Sequence, residues 1–399
     1  MKFDNQLRYA TSIIGSYRGD VPLHAWLKDY FREHKQMGSK DRKFLSQLVY
    51  GFYRLGHARK DLPVEERMLL ANFLCQDRHS EFLQYFRPEW NEQVAGAPEE
   101  KIALCHASGI DFQPTEIFPW KEELSEGIDH RTFCLSFLRQ PDLFLRIRPG
   151  HEKEVLKKLT DKGAPSTFIP PFTLRLPNGF KVEDYFTPDR EVVVQDYSSQ
   201  RIAPFLDMQY PGAPVPPSQD PRTPLSLWDA CAASGGKSIL AYDLNPGIEV
   251  TVSDIRESIL HNLRQRFRQA GIQQYHAFIA DLAASKPALP AYSLDLIMTD
   301  VPCTGSGTWG RTPEELYFFE PVKIQRYTDW QRKIVANTLP LLKKGASFLY
   351  ITCSVFKKEN EGMADMIRKS IGGVADESIA TIKGYEEKAD TMFAAKFSI

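Results

Sequence analysis

Leu225-Ser226-Leu227-Trp228-Asp229-Ala230-Cys231-Ala232-Ala233-Ser234-Gly235-Gly236-Lys237 is the stretch whose reading decides the fold. Its first five residues read as a short apolar strand ending in an acid. The small residues that follow predict a tight turn, with a helix opening at Lys237. Working outward, residues 248–254 predict a second strand. Residues 256–270 predict a helix on which Ile259, Leu263 and Phe267 recur every four positions, with Gly271 as its stop. Further strands are expected at 275–281 and 294–300, then a helix over 321–344 and a strand over 347–354. This alternation predicts an α/β fold built on a doubly wound, Rossmann-like parallel sheet with helices on both faces. Four of the strands end in an acid (Asp229, Asp254, Asp281, Asp300) and the fifth ends at Thr352-Cys353-Ser354. Ligands bind such sheets at the carboxyl ends of the strands, so all five points converge on one crevice.

The glycine turn narrows what that crevice takes. It lacks the GxGxxG spacing of a dinucleotide fold. Gly236-Lys237-Ser238 imitates the end of a P-loop, but Cys231 stands where that motif needs glycine, which disfavours a nucleoside triphosphatase. Asp254 is placed to accept hydrogen bonds from ribose hydroxyls, and Asp281 to meet an adenine amino group. With no phosphate cradle, S-adenosylmethionine fits better than a dinucleotide, because its cationic sulfonium tolerates nearby carboxylates. Any one of these acids could simply cap the helix that follows it. Three at successive strand ends favour a ligand.

Asp300-Val301-Pro302-Cys303 and Thr352-Cys353-Ser354 supply the reactive groups. On neighbouring strands, about 4.8 Å apart, they would bring two thiols and a carboxylic acid into one cleft. That set suits methylation at C5 of a pyrimidine, a poor nucleophile until a thiolate adds at C6. The thiol needs surroundings that favour its anion, and an acid beside N3 can donate as charge develops there. A second cysteine could assist release. Cys75, Cys105 and Cys134 read as inert buried residues. Six cysteines are too few and too scattered for a disulfide framework, and without zinc-type spacing no metal is expected.

The 399 residues suggest two or three domains. With 42% apolar and 25% charged residues, disordered and fibrous classes are excluded. A net charge of −1 means that a nucleic acid would have to be held by local basic patches. Residues 1–140 read as helical, with Phe44, Leu45, Leu48, Val49, Phe52 and Leu55 striping one helix and Ser39 as its N-cap. Residues 141–210 read as a small α/β module with strands at 143–148 and 173–176 around a helix at 151–161. From 143 to 182 eight basic residues face three acids, and from 32 to 60 eight face two. Arg146, Arg148, Lys157 and Lys158 are the candidate phosphate contacts. The proline-rich stretch 211–224 reads as a linker, opening a third domain over 211–399. No run approaches the roughly 18 apolar residues of a membrane helix, and the charged start Met1-Lys2-Phe3-Asp4 does not resemble a signal peptide. A cytoplasmic monomer with no membrane partner is expected.

Together, Asp229 to Lys237, Asp300-Val301-Pro302-Cys303-Thr304-Gly305-Ser306-Gly307 and Thr352-Cys353-Ser354 resemble the motifs of the Sun-type RNA cytosine-C5 methyltransferases. This class I methyltransferase family includes the bacterial small-subunit rRNA methyltransferase B and eukaryotic nucleolar enzymes. Gln195-Asp196-Tyr197-Ser198-Ser199-Gln200 resembles the family's lead-in, and Glu359-Asn360-Glu361 its post-cysteine segment, so the likeness runs from about residue 190 onward. Asp41-Arg42 and Leu48-Val49-Tyr50-Gly51 resemble, more weakly, a NusB-like helical domain. Segment 141–210 stands where the family has an RNA-recognition-like module.

The resemblance implies S-adenosylmethionine as cofactor and structured RNA as substrate, with small-subunit rRNA ahead of tRNA. It makes Cys353 the nucleophile at C6, Cys303 the group that resolves the adduct, and Asp300 the contact to N3 and the amino group. Around the cofactor it places Asp229, Cys231, Ala232, Ala233, Ser234, Gly235, Gly236, Lys237, Asp254, Asp281 and Asp300, and on the RNA Arg311. DNA cytosine methyltransferases use the Pro-Cys cysteine instead, so the division of roles between the two cysteines rests on the resemblance. Ser234 stands where the family usually has proline, and Val301 where it commonly has alanine. A non-catalytic ribosome-assembly factor on this fold would lose one of the reactive residues, and all are present. An amino-group methyltransferase would favour Asn/Asp-Pro-Pro-aromatic at 300–303, which reads Asp-Val-Pro-Cys.

Overall fold

The structure, a computed structural model, describes residues 2–208, 224–290 and 294–398. All but the last residue of the linker expected at 211–224 lies outside them. The chain forms two compact units. One comprises Met1–Leu124, Ile128–Gln140 and Thr308–Glu320, the other Ser125–Gly127, Pro141–Gly307 and Pro321–Ile399. In this division the small module and the large sheet share a unit, and the helical unit takes in a segment from far along the chain.

In the helical unit, helix Ser39–Arg54 buries Leu45, Leu48, Val49 and Phe52 on one face. Gly38 occupies the N-cap position and Ser39 is already helical, so the expected serine cap is absent. Near the helix's other end the buried Arg67 guanidinium donates to the carbonyls of Phe52, Gly56 and Ala58, satisfying acceptors that a helix terminus leaves open. Thr308–Glu320 completes this core. Leu316 is fully buried, Phe318 packs edge-on to Tyr17 at 5.7 Å, Glu314 accepts from the Leu23 amide at 3.1 Å, and Arg54 donates to the Gly310 carbonyl at 2.9 Å.

The second unit contains two sheets. In the small one, β1 (Leu143–Ile147), β2 (Thr167–Ile169), β3 (Thr173–Leu176) and β4 (Val192–Val194) are antiparallel in the order β2-β3-β1-β4. Val155 and Leu159 of helix Glu152–Asp161 pack into its core. β2 and β4 span three residues each, too short for alternation to mark them in the sequence.

The large sheet contains β5 (Ser226–Asp229), β6 (Glu249–Asp254), β7 (Tyr275–Ile279), β8 (Leu294–Asp300), β9 (Leu342–Thr352), β10 (Asp376–Ile382) and β11 (Met392–Ser398). Their order is β10-β11-β9-β8-β5-β6-β7. The five strands from β7 across to β9 are parallel, whereas β11 runs antiparallel to both β9 and β10. Side chains alternate between two cores. Leu227, Leu296, Met298, Leu349 and Ile351 join one, with Leu260, Leu263 and Phe267 of helix Glu257–Gln269. Trp228, Ile297, Phe348 and Tyr350 join the other, with Ile334 and Val335 of helix Val322–Thr338. Ile259, expected on the buried stripe, is only partly covered, and Leu260 takes its place. β5 has β6 on one side and β8 on the other, the reversal of strand order where such sheets open a crevice.

Candidate active site

β8 and β9 are hydrogen-bonded neighbours with Asp300 opposite Ile351, so the chain leaves both strands at the same end. Three residues past β8 and one past β9, the sulfurs of Cys303 and Cys353 stand 3.3 Å apart. The hydrogen bond to Cys353, together with burial, pushes the Cys303 thiol well above its ordinary range. Beside the pair, Lys237 Nζ donates to Asp300 Oδ2 at 2.7 Å. Burial works against the Lys237 charge, but Asp300 outweighs it and Cys353 adds to the effect, so the ammonium is held more firmly than in water.

Backbone geometry locks this end of the sheet. The Gly307 amide donates to the Cys353 carbonyl at 2.8 Å, and its carbonyl accepts from the Thr391 amide at 2.8 Å. A Cβ on Gly307 would lie 1.9 Å from the Thr391 oxygen, so only glycine fits. In the turn after β5, Ala233 (φ 45°) and Gly235 (φ 81°) take left-handed conformations, and the Ala233 amide donates to Asp254 Oδ2 at 3.1 Å. A Cβ on Gly235 would meet Phe267 at 2.8 Å. Ser234, the departure from proline, is tethered. Arg266 donates to its carbonyl at 3.0 Å and its hydroxyl at 2.9 Å while paired with Asp189 at 2.8 Å.

A cleft of about 630 Å³ opens here. Of the residues assigned from the sequence, Cys231, Ala233, Asp254, Asp281, Asp300, Cys303 and Cys353 line it. Asp229, Ala232, Ser234, Gly235, Gly236 and Lys237 do not line it, although Lys237 reaches Asp300. Asp229 is buried behind the turn, where Oδ2 accepts from Ser238 at 2.6 Å and Oδ1 has no hydrogen-bond partner. Burial raises its pKa to about 7. Asp281 lies two residues past β7 and is exposed, capping its own turn through the Ala283 amide at 3.0 Å.

The basic candidates divide. Arg146 and Arg148 are not available to phosphate, because both grip Asp243, at 2.5 and 2.6 Å, and Arg146 is only 2% exposed. Lys158 is paired with Glu154 at 2.8 Å and with Glu191. Lys157 is exposed. Arg311 belongs to the helical unit. His151, Glu154 and Glu191 bring possible ligand atoms within 4.8 Å of one another, but Lys158 bridges the two acids. The lining also includes Ile255, Arg256, Leu282, Trp330 and Ile334, which sequence reasoning missed. Ile255 carried a signal: it is an apolar residue directly after a strand-ending acid, and it is 58% exposed.

The cleft fits S-adenosylmethionine. Its volume suits a small-molecule site, Ile255 and Trp330 offer apolar walls to a purine, Asp254 can accept from ribose hydroxyls, and the carboxylates favour a cationic sulfonium. Fold and site define an S-adenosylmethionine-dependent methyltransferase. Residues 218–397 match the model of the 16S rRNA methyltransferase RsmB/F family. A probable ribosomal RNA small subunit methyltransferase B of Bacillus subtilis is 30% identical over 47% of this chain and 39% of its own length. The ribosomal RNA small subunit methyltransferase B of Yersinia enterocolitica is 27% identical over 82% of this chain and 74% of its own. The crystal structure of a protein designated PH0851 shares the fold over 99% of this chain and 98% of its own, with a TM-score of 0.65 at 17% identity.

Proposed function

We propose that this chain transfers a methyl group from S-adenosylmethionine to C5 of a cytosine in RNA, small-subunit rRNA first among candidates, through a covalent adduct of Cys353 at C6. The observation that carries this is the pair of sulfurs 3.3 Å apart beside the Lys237–Asp300 pair, at the edge of a nucleoside-sized cleft. The names of the curated relatives support the rRNA class.

The target base is turned out of its stack into the cleft. Cys303, held as a thiol, stands within hydrogen-bond reach of Cys353 Sγ and can donate to it as the attacking thiolate forms. Cys353 Sγ attacks C6. The C5–C6 π pair moves into C4–C5, making C5 an enamine carbon, and the C4–N3 π pair moves onto N3, where Asp300 contacts the ring edge and Lys237 steadies Asp300. When bound, S-adenosylmethionine supplies an electrophilic methyl to the activated C5. Forming the C6–S bond removes the anionic partner that kept Cys303 protonated, so Cys303, which lines the open cleft, releases its proton to solvent there and as thiolate takes the one on C5. The C5–H electrons re-form C5=C6, the C6–S bond breaks, and Cys353 leaves as thiolate.

A cytoplasmic location accords with this reading. Among the described residues no helix is long and apolar enough to cross a membrane.

RNA containing 5-fluorocytidine should form a denaturation-resistant adduct with the wild-type protein, and none with Cys353→Ala. Cys303→Ala should accumulate adduct on ordinary RNA. Trapping that survives Cys353→Ala and vanishes in Cys303→Ala would reverse the roles. An rRNA from a deletion strain with unchanged cytosine methylation would point to tRNA or to a non-catalytic assembly role.

A further inference from the structure

Glu359 stands just past the nucleophile loop, is fully buried, and does not line the cleft. Its carboxylate collects four hydrogen bonds. One oxygen accepts from the Thr304 amide at 3.0 Å and from Gln331 Nε2 at 2.9 Å, and the other from the Thr304 hydroxyl at 2.6 Å and the Ser354 hydroxyl at 2.5 Å. Thr304 directly follows Cys303, and Ser354 directly follows Cys353. Gln331, on helix Val322–Thr338, also donates to the Pro302 carbonyl at 3.1 Å, so one carboxylate ties both cysteine-bearing loops to one helix.

Its own position is set from β9. The Tyr350 hydroxyl donates to the Glu359 carbonyl at 2.7 Å. The adjoining Asn360 accepts from Thr352 Oγ1 at 2.5 Å and donates to the Ser354 carbonyl at 2.9 Å. A buried carboxylate is costly unless its partners are complete, and here both oxygens are saturated. Apolar packing would fill the space at lower cost, but it would not set the spacing of two loops from different strands.

We infer that Glu359 is a positioning residue, the clasp that fixes the separation of the Cys303 and Cys353 sulfurs. The inference rests on the proposed covalent mechanism for its consequence, not for its geometry. Thiols held at this spacing close readily to a disulfide when treated with oxidised dithiothreitol, which is reduced to the dithiol as the protein pair is oxidised. That reaction needs neither RNA nor methyl donor.

The test compares wild type, Glu359→Ala and Glu359→Gln. The rate of Cys303–Cys353 cross-linking is followed by peptide mass spectrometry, and kcat and KM for S-adenosylmethionine are measured alongside. Both variants should cross-link more slowly and lose kcat, by about 10- to 100-fold in Glu359→Ala, with KM nearly unchanged. Glu359→Gln, which keeps the volume and part of the network, should fall between. If Glu359→Ala does not fold, Glu359→Gln carries the test alone. Wild-type cross-linking and kcat in a folded variant overturn the inference, as does a loss shared equally by kcat and KM. Glu359-dependent cross-linking in a protein that methylates no RNA would sustain the clasp and sink the proposed reaction instead.

Discussion

Lys237 Nζ and Asp300 Oδ2 form a 2.7 Å ion pair that bridges the helix after β5 and the end of β8. Lys237 does not line the cleft whereas Asp300 does, so the lysine works through the acid. Lys237→Met should lower single-turnover methylation by about 100-fold while changing the affinity for S-adenosylmethionine little. Rapid-quench kinetics and calorimetry separate the two effects, and an equal loss in both would make Lys237 a cofactor ligand.

Asp229 makes stability depend on pH in an unusual direction. Its folded pKa, raised to about 7 by burial, lies above the roughly 3.9 of an unfolded aspartate. The folded state therefore keeps a proton that the unfolded state has released across that window, and stability falls as pH rises from about 4 to about 7. Asp229→Asn should remove this dependence and gain up to about 4 kcal/mol on wild type between pH 4 and pH 8. Urea titrations at both values check it. Parallel stability curves for the two proteins would count against the buried, neutral Asp229.

Gly307 sits where the Cys353 carbonyl and the Thr391 backbone converge. Gly307→Ala should cost about 1–3 kcal/mol in stability and abolish adduct formation, because the added carbon drives the loop off Cys353. Thermal melts and fluorocytidine trapping read the two effects separately. A variant that traps RNA at the wild-type rate would show that the loop tolerates the displacement.

Charge on the small module should serve two ends. Arg146→Met strips one of two guanidinium groups from Asp243, which keeps Arg148, and should lower stability by about 1.5–3 kcal/mol, leaving the salt dependence of RNA binding as it was. Lys157→Met should do the reverse, reducing the slope of log K against log salt by about 1. Filter binding across a salt series distinguishes them, and identical slopes for both variants would remove Lys157 from the RNA interface.

Much of the sheet was readable because strand-ending acids and a glycine turn mark a parallel sheet locally. Asp229, Asp254 and Asp300 each occupy the last position of a strand. The hairpin of β10 and β11 was not readable, because its alternation, as at Ser378-Ile379-Ala380-Thr381, leaves Ile379 exposed and Ala380 half-covered. The basic surplus of the small module misled for a different reason. Asp243, the partner that neutralises Arg146 and Arg148, lies on a helix about a hundred residues away, and no local charge count can pair them. Trp330 was silent because a residue on an amphipathic helix announces a buried or exposed face, not which cleft that face borders.

The segment Thr308–Glu320 leaves the large sheet between the strands that carry the two cysteines and is built into the helical unit. The N-terminal helices therefore cannot finish their core from their own sequence. During synthesis they wait, partly assembled, until residues 308–320 have emerged. Maturation of the two halves is thereby coupled in time, and a nascent chain interrupted before this stretch would present the ribosome exit and its chaperones with an unclosed bundle.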